Sequence, residues 1–205
     1  KTGDAADINL MLVALLREIG FDATPVILRT RDHGRIHEQY ALMRRFNYVV
    51  AHIEKGGKDF LIDATDEHLK VGMLPYQCLN HNGWLVHSAF PRFVSLEPVE
   101  RDIEFEKVEM KINEEGEMKG KFTKSYGGYS AWSARKSFKK EGQEKFLEEI
   151  KKAKTNWTIS KAEYHNTDEI SHPMEARYDV EMTDFVTKAG DMMYLKPMLS
   201  EGHTE

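Results

Sequence analysis

The first feature of the hydrophobic pattern is a stretch, residues 8–16, in which nearly every position is apolar. Asp4 or Gly3 is the predicted N-cap before it, and Asp7 adds negative charge to the first turn, where it complements the helix dipole. Gly20 follows where a left-handed C-terminal cap belongs. Because apolar side chains occur on nearly every side, the pattern predicts a buried helix.

Short β-branched and apolar runs follow this helix. They predict strands over residues 24–29, 47–54, 58–63 and 83–88, with a short helical or turn segment that begins at Met73 and contains Cys78. Lys55-Gly56-Gly57 separates the second and third strands and is typical of a hairpin turn, so these strands should be antiparallel neighbours. The first half is therefore predicted to be one helix packed on an antiparallel sheet.

The pattern loosens over residues 89–102, which contain two prolines and predict a linker. Beyond it, strands are predicted over residues 103–112, 117–124, 157–164 and 174–182, and helices over 130–139 and 141–152. The last strand alternates strictly, which places five apolar side chains on one side. The fold class is therefore α+β: a domain at 1–88, the linker at 89–102, and a smaller β-rich α+β module at 103–205.

Composition narrows the class of protein. A chain of 205 residues with 40% hydrophobic and 31% charged residues is typical of folded, soluble domains. The net charge is -5 and neither half is basic, so nucleic acid is not an expected partner. The single cysteine, Cys78, excludes an internal disulfide. No apolar run is long enough to insert into a membrane, and we expect the chain to be a piece of a longer protein, incomplete at its C-terminus.

Three short motifs point to a family. Gly3-Asp4 opens the helix, Phe46-Asn47 opens a strand, and Asp63-Ala64-Thr65-Asp66 closes the next strand. In this order, and with the phrases Arg31-Asp32-His33-Gly34 and Gly72-Met73-Leu74-Pro75, residues 1–86 resemble the transglutaminase-like superfamily. The resemblance implies a papain-like core, truncated here, whose catalytic cysteine, histidine and aspartate would occupy the positions of Ala5, Tyr48 and Asp63.

Two of these three positions lack the residue that the chemistry requires. A thiol at a helix N-terminus is activated by the dipole and by a neighbouring imidazole, but Ala5 offers no nucleophile. Tyr48 does not replace the imidazole, because a phenol with a reference pKa of about 10 is protonated at neutral pH. Ala6 also stands where the family often has lysine. The sequence therefore predicts a pseudoenzyme with no intact catalytic residue, no cofactor and no metal.

The resemblance carries further expectations about context. A β-rich domain follows such transglutaminase-like domains in large exported bacterial proteins, which implies an extracytoplasmic location, periplasmic or in the cell envelope. A binding or scaffolding role is then expected, with a peptide, a cell-envelope polymer or other domains of the parent chain as partner. The loop that would border the former cleft contains five charged or titratable residues: Arg29, Arg31, Asp32, His33 and Arg35. It could recognise an anion through arginine forks, or be a solvated loop with local ion pairs.

Other interpretations remain open at this point. The protein could be an active cysteine-type acyl transferase or amidase, either engineered at Ala5 or using Cys78 with His81 or His87 as its base. It could also be a purely structural envelope-protein domain. Labelling and turnover at Cys78 would favour the enzyme.

Three further patterns each have a structural and a functional interpretation. His33 and His37, with Asp32, could bind a metal, although Gly34 between the histidines favours a loop. Asp63 and Asp66 could act as paired carboxylates, but at a strand end they are more typical of an Asx turn. The aromatic residues of the segment 126–132 could form a binding surface for sugar or peptide, although packing is the expected role.

Overall fold

The computed structural model describes residues 3–37, 43–183 and 185–195, and the chain divides into two compact units, Lys1–Arg101 and Asp102–Glu205. Both units combine helix with antiparallel sheet, so the α+β prediction is confirmed. The first unit contains α1 (Ala5–Glu18), β1 (Ala23–Leu28), β2 (Tyr48–Lys55), β3 (Lys58–Ile62), β4 (Asn82–Leu85) and β5 (Arg92–Ser95). Single 3-10 turns lie at Arg31–His33, Met43–Arg45 and Tyr76–Cys78.

The start and the end of α1 follow from local sequence. The Asp4 carboxylate accepts a hydrogen bond from the Asp7 backbone N–H at 2.9 Å, and the Asp7 carboxylate accepts one from the Asp4 N–H at 3.2 Å. This reciprocal capping box satisfies two backbone donors that the helix itself leaves free. Gly20 follows the C-cap with φ +93°, a conformation that glycine adopts without a Cβ penalty. Both predicted helix ends are thus confirmed.

The prediction that α1 is buried on nearly every side is wrong. Val13 is 3% exposed and packs with Ala23 of β1 and Ala51 of β2. The other side of the helix carries apolar residues with large exposed fractions: Leu10 48%, Met11 65%, Leu15 58% and Ile19 70%. Within the first unit only one face of α1 lies against the sheet. Apolar composition around a helix indicates which faces can be buried, whereas the position of the sheet determines which face is.

The first sheet has the strand order β3-β2-β1-β4-β5 and is antiparallel throughout. The predicted β2–β3 hairpin is present, with Lys55 opposite Lys58 across the two glycines. The structure corrects the prediction of a linker at 89–102, because β5 lies within this range. β5 pairs with β4, and Trp84 is opposite Phe93. The first unit therefore extends to Arg101. A four-residue strand between two prolines gave too short a pattern to identify.

The second unit contains β6 (Asp102–Ile112), β7 (Met118–Gly127), α2 (Gly128–Ala153), β8 (Trp157–His165), β9 (Met174–Met182), β10 (Val186–Ala189) and β11 (Met192–Leu195). Its main sheet has the order β6-β7-β9-β8, and β10 and β11 form a separate hairpin. The two predicted helices are parts of α2, which is interrupted at Gly142 with φ +82°. The unit spans residues 102–205 against 1–101 for the first, so it is not the smaller one.

The core of the second unit lies between α2 and the inner face of the sheet. The alternation predicted for β9 is confirmed, since its inward residues are at most 2% exposed: Met174, Ala176, Tyr178, Val180 and Met182. Ala131, Ala134 and Phe146 of α2 pack against them. Burial of this apolar face is the main stabilising contribution to the unit.

One charged side chain is buried at the edge of this core. Arg135 of α2 is 3% exposed. Its Nε donates to the Asn166 carbonyl at 3.0 Å, and its Nη2 donates to the carbonyls of Glu169, at 2.8 Å, and of His172. Burial lowers the pKa of Arg135. The guanidinium therefore fixes the backbone of the β8–β9 connection by occupying three of its carbonyl groups.

Candidate functional site

A buried asparagine connects the first turn of α1 to the sheet. Asn9 is 0% exposed and lies one helical turn after Ala5, so the two side chains share a face. The Asn9 amide donates to the Val49 carbonyl, and its oxygen accepts from the Ala64 N–H, both at 2.9 Å. Val49 and Ala64 each directly follow one of the other two candidate positions. The Asn9 bridge therefore brings the start of α1 to the end of the sheet where those positions lie.

Tyr48 and Asp63 are in direct contact. The Tyr48 hydroxyl donates to Asp63 Oδ2 at 2.9 Å and lies 3.1 Å from the Thr65 hydroxyl. Asp63 Oδ1 accepts from the Thr65 N–H at 2.7 Å and from its hydroxyl at 2.5 Å. Tyr48 is 9% and Asp63 6% exposed. Both carboxylate oxygens are therefore occupied by donors, as a buried carboxylate requires.

The surroundings of Tyr48 keep its proton in place. Burial is the largest cause that raises the pKa of Tyr48, and the nearby Asp63 charge adds to it, while the hydrogen bond with Thr65 opposes it. A phenol whose pKa lies above its ordinary value of about 10 is neutral throughout the physiological range. At the position where the family resemblance implies a histidine, this residue acts as a hydrogen-bond donor rather than as a base.

Cys78 lies close to the same pair, in surroundings that disfavour its thiolate. It ends the 3-10 turn Tyr76–Cys78 and is 0% exposed. Burial raises the pKa of Cys78, the Asp63 carboxylate raises it further, and the Tyr48 hydroxyl partly offsets both. Because the thiolate is the reactive form, this environment is the opposite of the one that activates a cysteine. The interpretation of Cys78 as a displaced nucleophile is not favoured.

The two histidines proposed as bases for Cys78 differ in their local settings. His87 Nδ1 accepts from the Ala89 and Phe90 N–H groups at 3.1 and 3.0 Å, which engages it in a local turn. His81 is exposed, and its φ of +60° is unusual for a residue with a side chain. The sequence suggested both bases by proximity along the chain, and the structure engages His87 in a turn of its own instead.

The five residues of the predicted cleft rim separate into two groups. Asp32 Oδ2 lies 3.1 Å from His33 Nδ1, and that nitrogen also lies 3.0 Å from the Thr30 hydroxyl and from the Asn47 amide. A hydrogen bond with Thr30 is the main cause that lowers the pKa of Asp32. These two residues thus form a local network, in agreement with the simpler of the two interpretations of the loop.

The three arginines have different roles. Arg29 Nη1 donates to the Arg35 carbonyl at 3.2 Å, and Arg31 Nε donates to the Leu79 carbonyl at 2.5 Å. Arg31 and Arg35, but not Arg29, line a groove of about 490 Å³, which His81 and Glu97 also line. The structure therefore brings two of the five predicted rim residues together with His81, which the sequence indicated only as a base for Cys78, and with Glu97, which it did not indicate.

Two other predictions concerned Asp63 and Asp66 as paired carboxylates and a possible metal site. Asp63 and Asp66 each accept a hydrogen bond from the backbone N–H two residues later, at 2.7 and 3.0 Å, which is Asx-turn geometry. Across residues 3–37, 43–183 and 185–195, no group of three or more His, Cys, Asp or Glu side chains is arranged to hold a metal ion.

The aromatic segment of the second unit is part of its interior. Tyr126, Tyr129 and Trp132 are 7%, 2% and 8% exposed, and the rings of Tyr129 and Trp132 meet edge to face with centroids 6.2 Å apart. The packing interpretation is confirmed, since buried rings do not form a binding surface for sugar or peptide.

Sequence reasoning missed a polar network in the first sheet. His52 is 4% exposed, and its Nε2 lies 2.7 Å from Asp59 Oδ1. Arg92 donates to both Asp59 oxygens, at 3.0 and 2.5 Å, and this pair is the main cause that lowers the pKa of Asp59 to about 2. The available signal was the alternation of β2, which places His52 on the same side as Tyr48 and Val50. Because Arg92 lies on β5, the pair ties the two outer strands of the sheet together.

None of the helices in the part of the chain that the structure describes is both long and apolar enough to cross a membrane. Comparisons with protein-family models, with curated proteins and with solved structures found no match to this chain.

Proposed function

We propose that the first unit is a transglutaminase-like domain that has lost its catalytic chemistry and acts by binding. The observation that carries the proposal is the hydrogen bond from Tyr48 to Asp63. In an active family member the aspartate at this position would orient a catalytic histidine. In this chain Asp63 accepts a hydrogen bond from the Tyr48 phenol instead. The contact is a stable, satisfied pair, so it explains why Asp63 is retained at a position where it has no catalytic partner.

The nucleophile is missing for separate physical reasons. Ala5 presents a methyl group at the helix N-terminus, where the dipole would otherwise favour a thiolate. Cys78 is 0% exposed and its raised pKa keeps the thiol protonated. Within the described residues, neither side chain offers a nucleophile beside a base, which acyl transfer by covalent catalysis requires.

The wider role follows from the resemblance. We infer that the domain binds or scaffolds within a larger, exported bacterial protein, in the periplasm or cell envelope. Its partner would be a peptide, a cell-envelope polymer or another domain of the parent chain. The groove beside Arg31 and Arg35 supports a binding role, because grooves of several hundred Å³ with a few convergent polar groups are typical of ligand sites.

The absence of catalysis is tested with the unmodified protein. We expect no incorporation of a fluorescent primary amine into a glutamine-containing protein, and no amide hydrolysis, above the rate measured with the C78A variant. Iodoacetamide should label Cys78 only at the rate at which the unit unfolds, so labelling should accelerate with urea. Turnover by the unmodified protein that disappears in C78A would overturn the proposal in favour of an active cysteine enzyme.

The ancestral site is tested by restoring two residues. In the double variant A5C/Y48H, the thiol introduced at position 5 should react with iodoacetamide at pH 6.5 about 10-fold faster than a free cysteine, because a dipole and an imidazole lower the thiol pKa. A5C alone should gain less. A matched variant, A14C, places a thiol on an exposed part of the same helix, away from its N-terminus. Equal rates for all three variants would show that Ala5 and Tyr48 do not mark a catalytic pair.

A further inference from the structure

The groove of the first unit combines charges of both signs with an apolar floor. Arg31 and Arg35 supply two guanidinium groups, His81 supplies an imidazole, and Glu97 supplies a carboxylate. Leu79 and Leu96 contribute the apolar part. At about 490 Å³, the groove has the size of sites that accept small molecules or one or two residues of a peptide.

The two groove arginines differ from Arg92 in their pairing. Arg92 is saturated by Asp59, which it contacts through two nitrogens. Within the described residues, no ion pair involves Arg31 or Arg35. Arg31 uses its Nε for the Leu79 carbonyl, which leaves its two terminal nitrogens to be directed elsewhere. Guanidinium groups in this state bind carboxylates through parallel hydrogen bonds.

The backbone that carries these arginines is held in place before any ligand binds. The Asn80 amide, on a side chain 8% exposed, donates to the Arg29 carbonyl at 2.9 Å and to the Gly34 carbonyl at 2.8 Å. Gly34 has φ +88°, which allows the chain to turn between the two groove arginines. A site that is already ordered loses less conformational entropy on binding.

The groove also contains a residue in a strained conformation. His81 has a side chain and adopts φ +60°, a region that costs such residues free energy and is concentrated at binding sites. Its carbonyl accepts from the Leu96 N–H at 2.8 Å, which fixes this conformation between the two apolar floor residues. The exposed His81 lines the groove in this conformation.

We propose that this groove binds a zwitterionic dipeptide or amino acid, with the carboxylate on Arg31 and Arg35 and the ammonium group on Glu97. Glu97 distinguishes this ligand from a phosphate, because a carboxylate in the wall repels a dianion while it attracts an ammonium group. An apolar side chain of the ligand lies over Leu79 and Leu96. This inference rests on the proposed binding role and specifies its ligand.

The test is a nitrogen-15 chemical-shift titration of the full chain with leucyl-leucine at low ionic strength. We expect saturable shifts at His81 and at the side chain of Arg35. Amidation of the ligand carboxylate should weaken binding at least 10-fold, and acetylation of its amine should weaken it several-fold. The variant R35Q should lose binding by about the same factor as amidation, since it removes the same charge pair while leaving the Arg35 carbonyl available to Arg29.

Two comparisons decide between the zwitterion and a simpler anion site. The variant K58Q removes one positive charge from β3, outside the groove, and should bind like the unmodified protein. Orthophosphate should bind more weakly than the dipeptide, and E97Q should reduce this difference. Equal affinity for the dipeptide and its amide, or phosphate binding without dipeptide binding, would overturn the inference. Either result leaves the loss of catalysis to be judged independently by the amine-incorporation assay.

Discussion

Replacing Tyr48 by phenylalanine isolates one hydroxyl group. The ring, 9% exposed, keeps its volume, so the change leaves no large cavity. What is lost is the donor to Asp63 Oδ2 at 2.9 Å and the 3.1 Å contact with the Thr65 hydroxyl, while Oδ1 keeps both Thr65 donors. A hydrogen bond to a charged acceptor contributes about 1.5–3 kcal/mol. We therefore expect Y48F to lower the free energy of unfolding of the first unit by about 1–3 kcal/mol, since one acceptor oxygen is left without this donor.

Amide hydrogen exchange measured by mass spectrometry reports on each unit separately. In Y48F the most protected amides of β1 and β2 should exchange faster by about one order of magnitude per 1.4 kcal/mol lost, while those of β7 and β9 should not change. The control is Y194F, because the Tyr194 ring is 56% exposed and lies in the second unit. If β2 protection in Y48F stays within a factor of about two of the unmodified protein, the Tyr48–Asp63 bond has no net stabilising role.

Y48F should also change how the stability of the first unit depends on pH in alkaline solution. The folded state raises the pKa of Tyr48, so it holds this proton more tightly than the unfolded chain does, for which the reference pKa is about 10. The stability from this residue is fully present below about pH 10 and decreases as the pH rises further. Y48F should therefore show a shallower loss of stability above pH 10 than the unmodified protein, and parallel curves would contradict the raised pKa.

Three further outcomes follow from single contacts. R135K should lower the stability of the second unit by about 1–3 kcal/mol and speed proteolysis of the β8–β9 connection, because one ammonium group does not reproduce the guanidinium fork; unchanged cleavage would refute it. G120A should cost about 1–3 kcal/mol in urea unfolding, since a Cβ there would lie 2.0 Å from the Glu109 carbonyl oxygen; wild-type stability would show that the strands separate without cost. The lowered pKa of Asp59, about 2, means that its pairing stabilises the fold above about pH 4 and is lost as the pH falls toward 2. D59N should flatten this acid dependence by about 1 kcal/mol or less, because the carboxylate is partly exposed; an acid curve as steep as that of the unmodified protein would contradict this.

The candidate site shows which features the sequence alone could indicate and which needed the structure. That Ala5, Tyr48 and Asp63 mark a former catalytic site stays a prediction from the resemblance, whereas the absence of a thiol at position 5 and of an imidazole at position 48 needs no structure to recognise. The contact between Tyr48 and Asp63 did need it, because the two residues are brought together by strands that pair antiparallel. The groove partner Glu97 was missed since it lies in the stretch that the sequence assigned to a linker.

The loop at residues 29–35 is a second place where the structure separated residues that the sequence grouped together. The five charged or titratable residues between positions 29 and 35 were equivalent as a sequence cluster. Asp32 and His33 turn toward Thr30 and Asn47, whereas Arg31 and Arg35 face the groove. The direction of each side chain follows from the 3-10 turn at Arg31–His33 and from the anchoring of this loop by Asn80. Neither is encoded in a local pattern of charge.

Interactions between residues close together in the sequence determined where the helices, strands and turns form. The Asp4 cap, the glycine after α1, the Gly56-Gly57 hairpin and the alternation of β9 each act over a few residues, through backbone donors, allowed φ values and the two-residue period of a strand. Tertiary structure alone decided which face of α1 is covered, which carbonyls Arg135 binds and which arginines share a groove. These depend on where distant segments pack, and a side chain contacts whatever the fold brings to it.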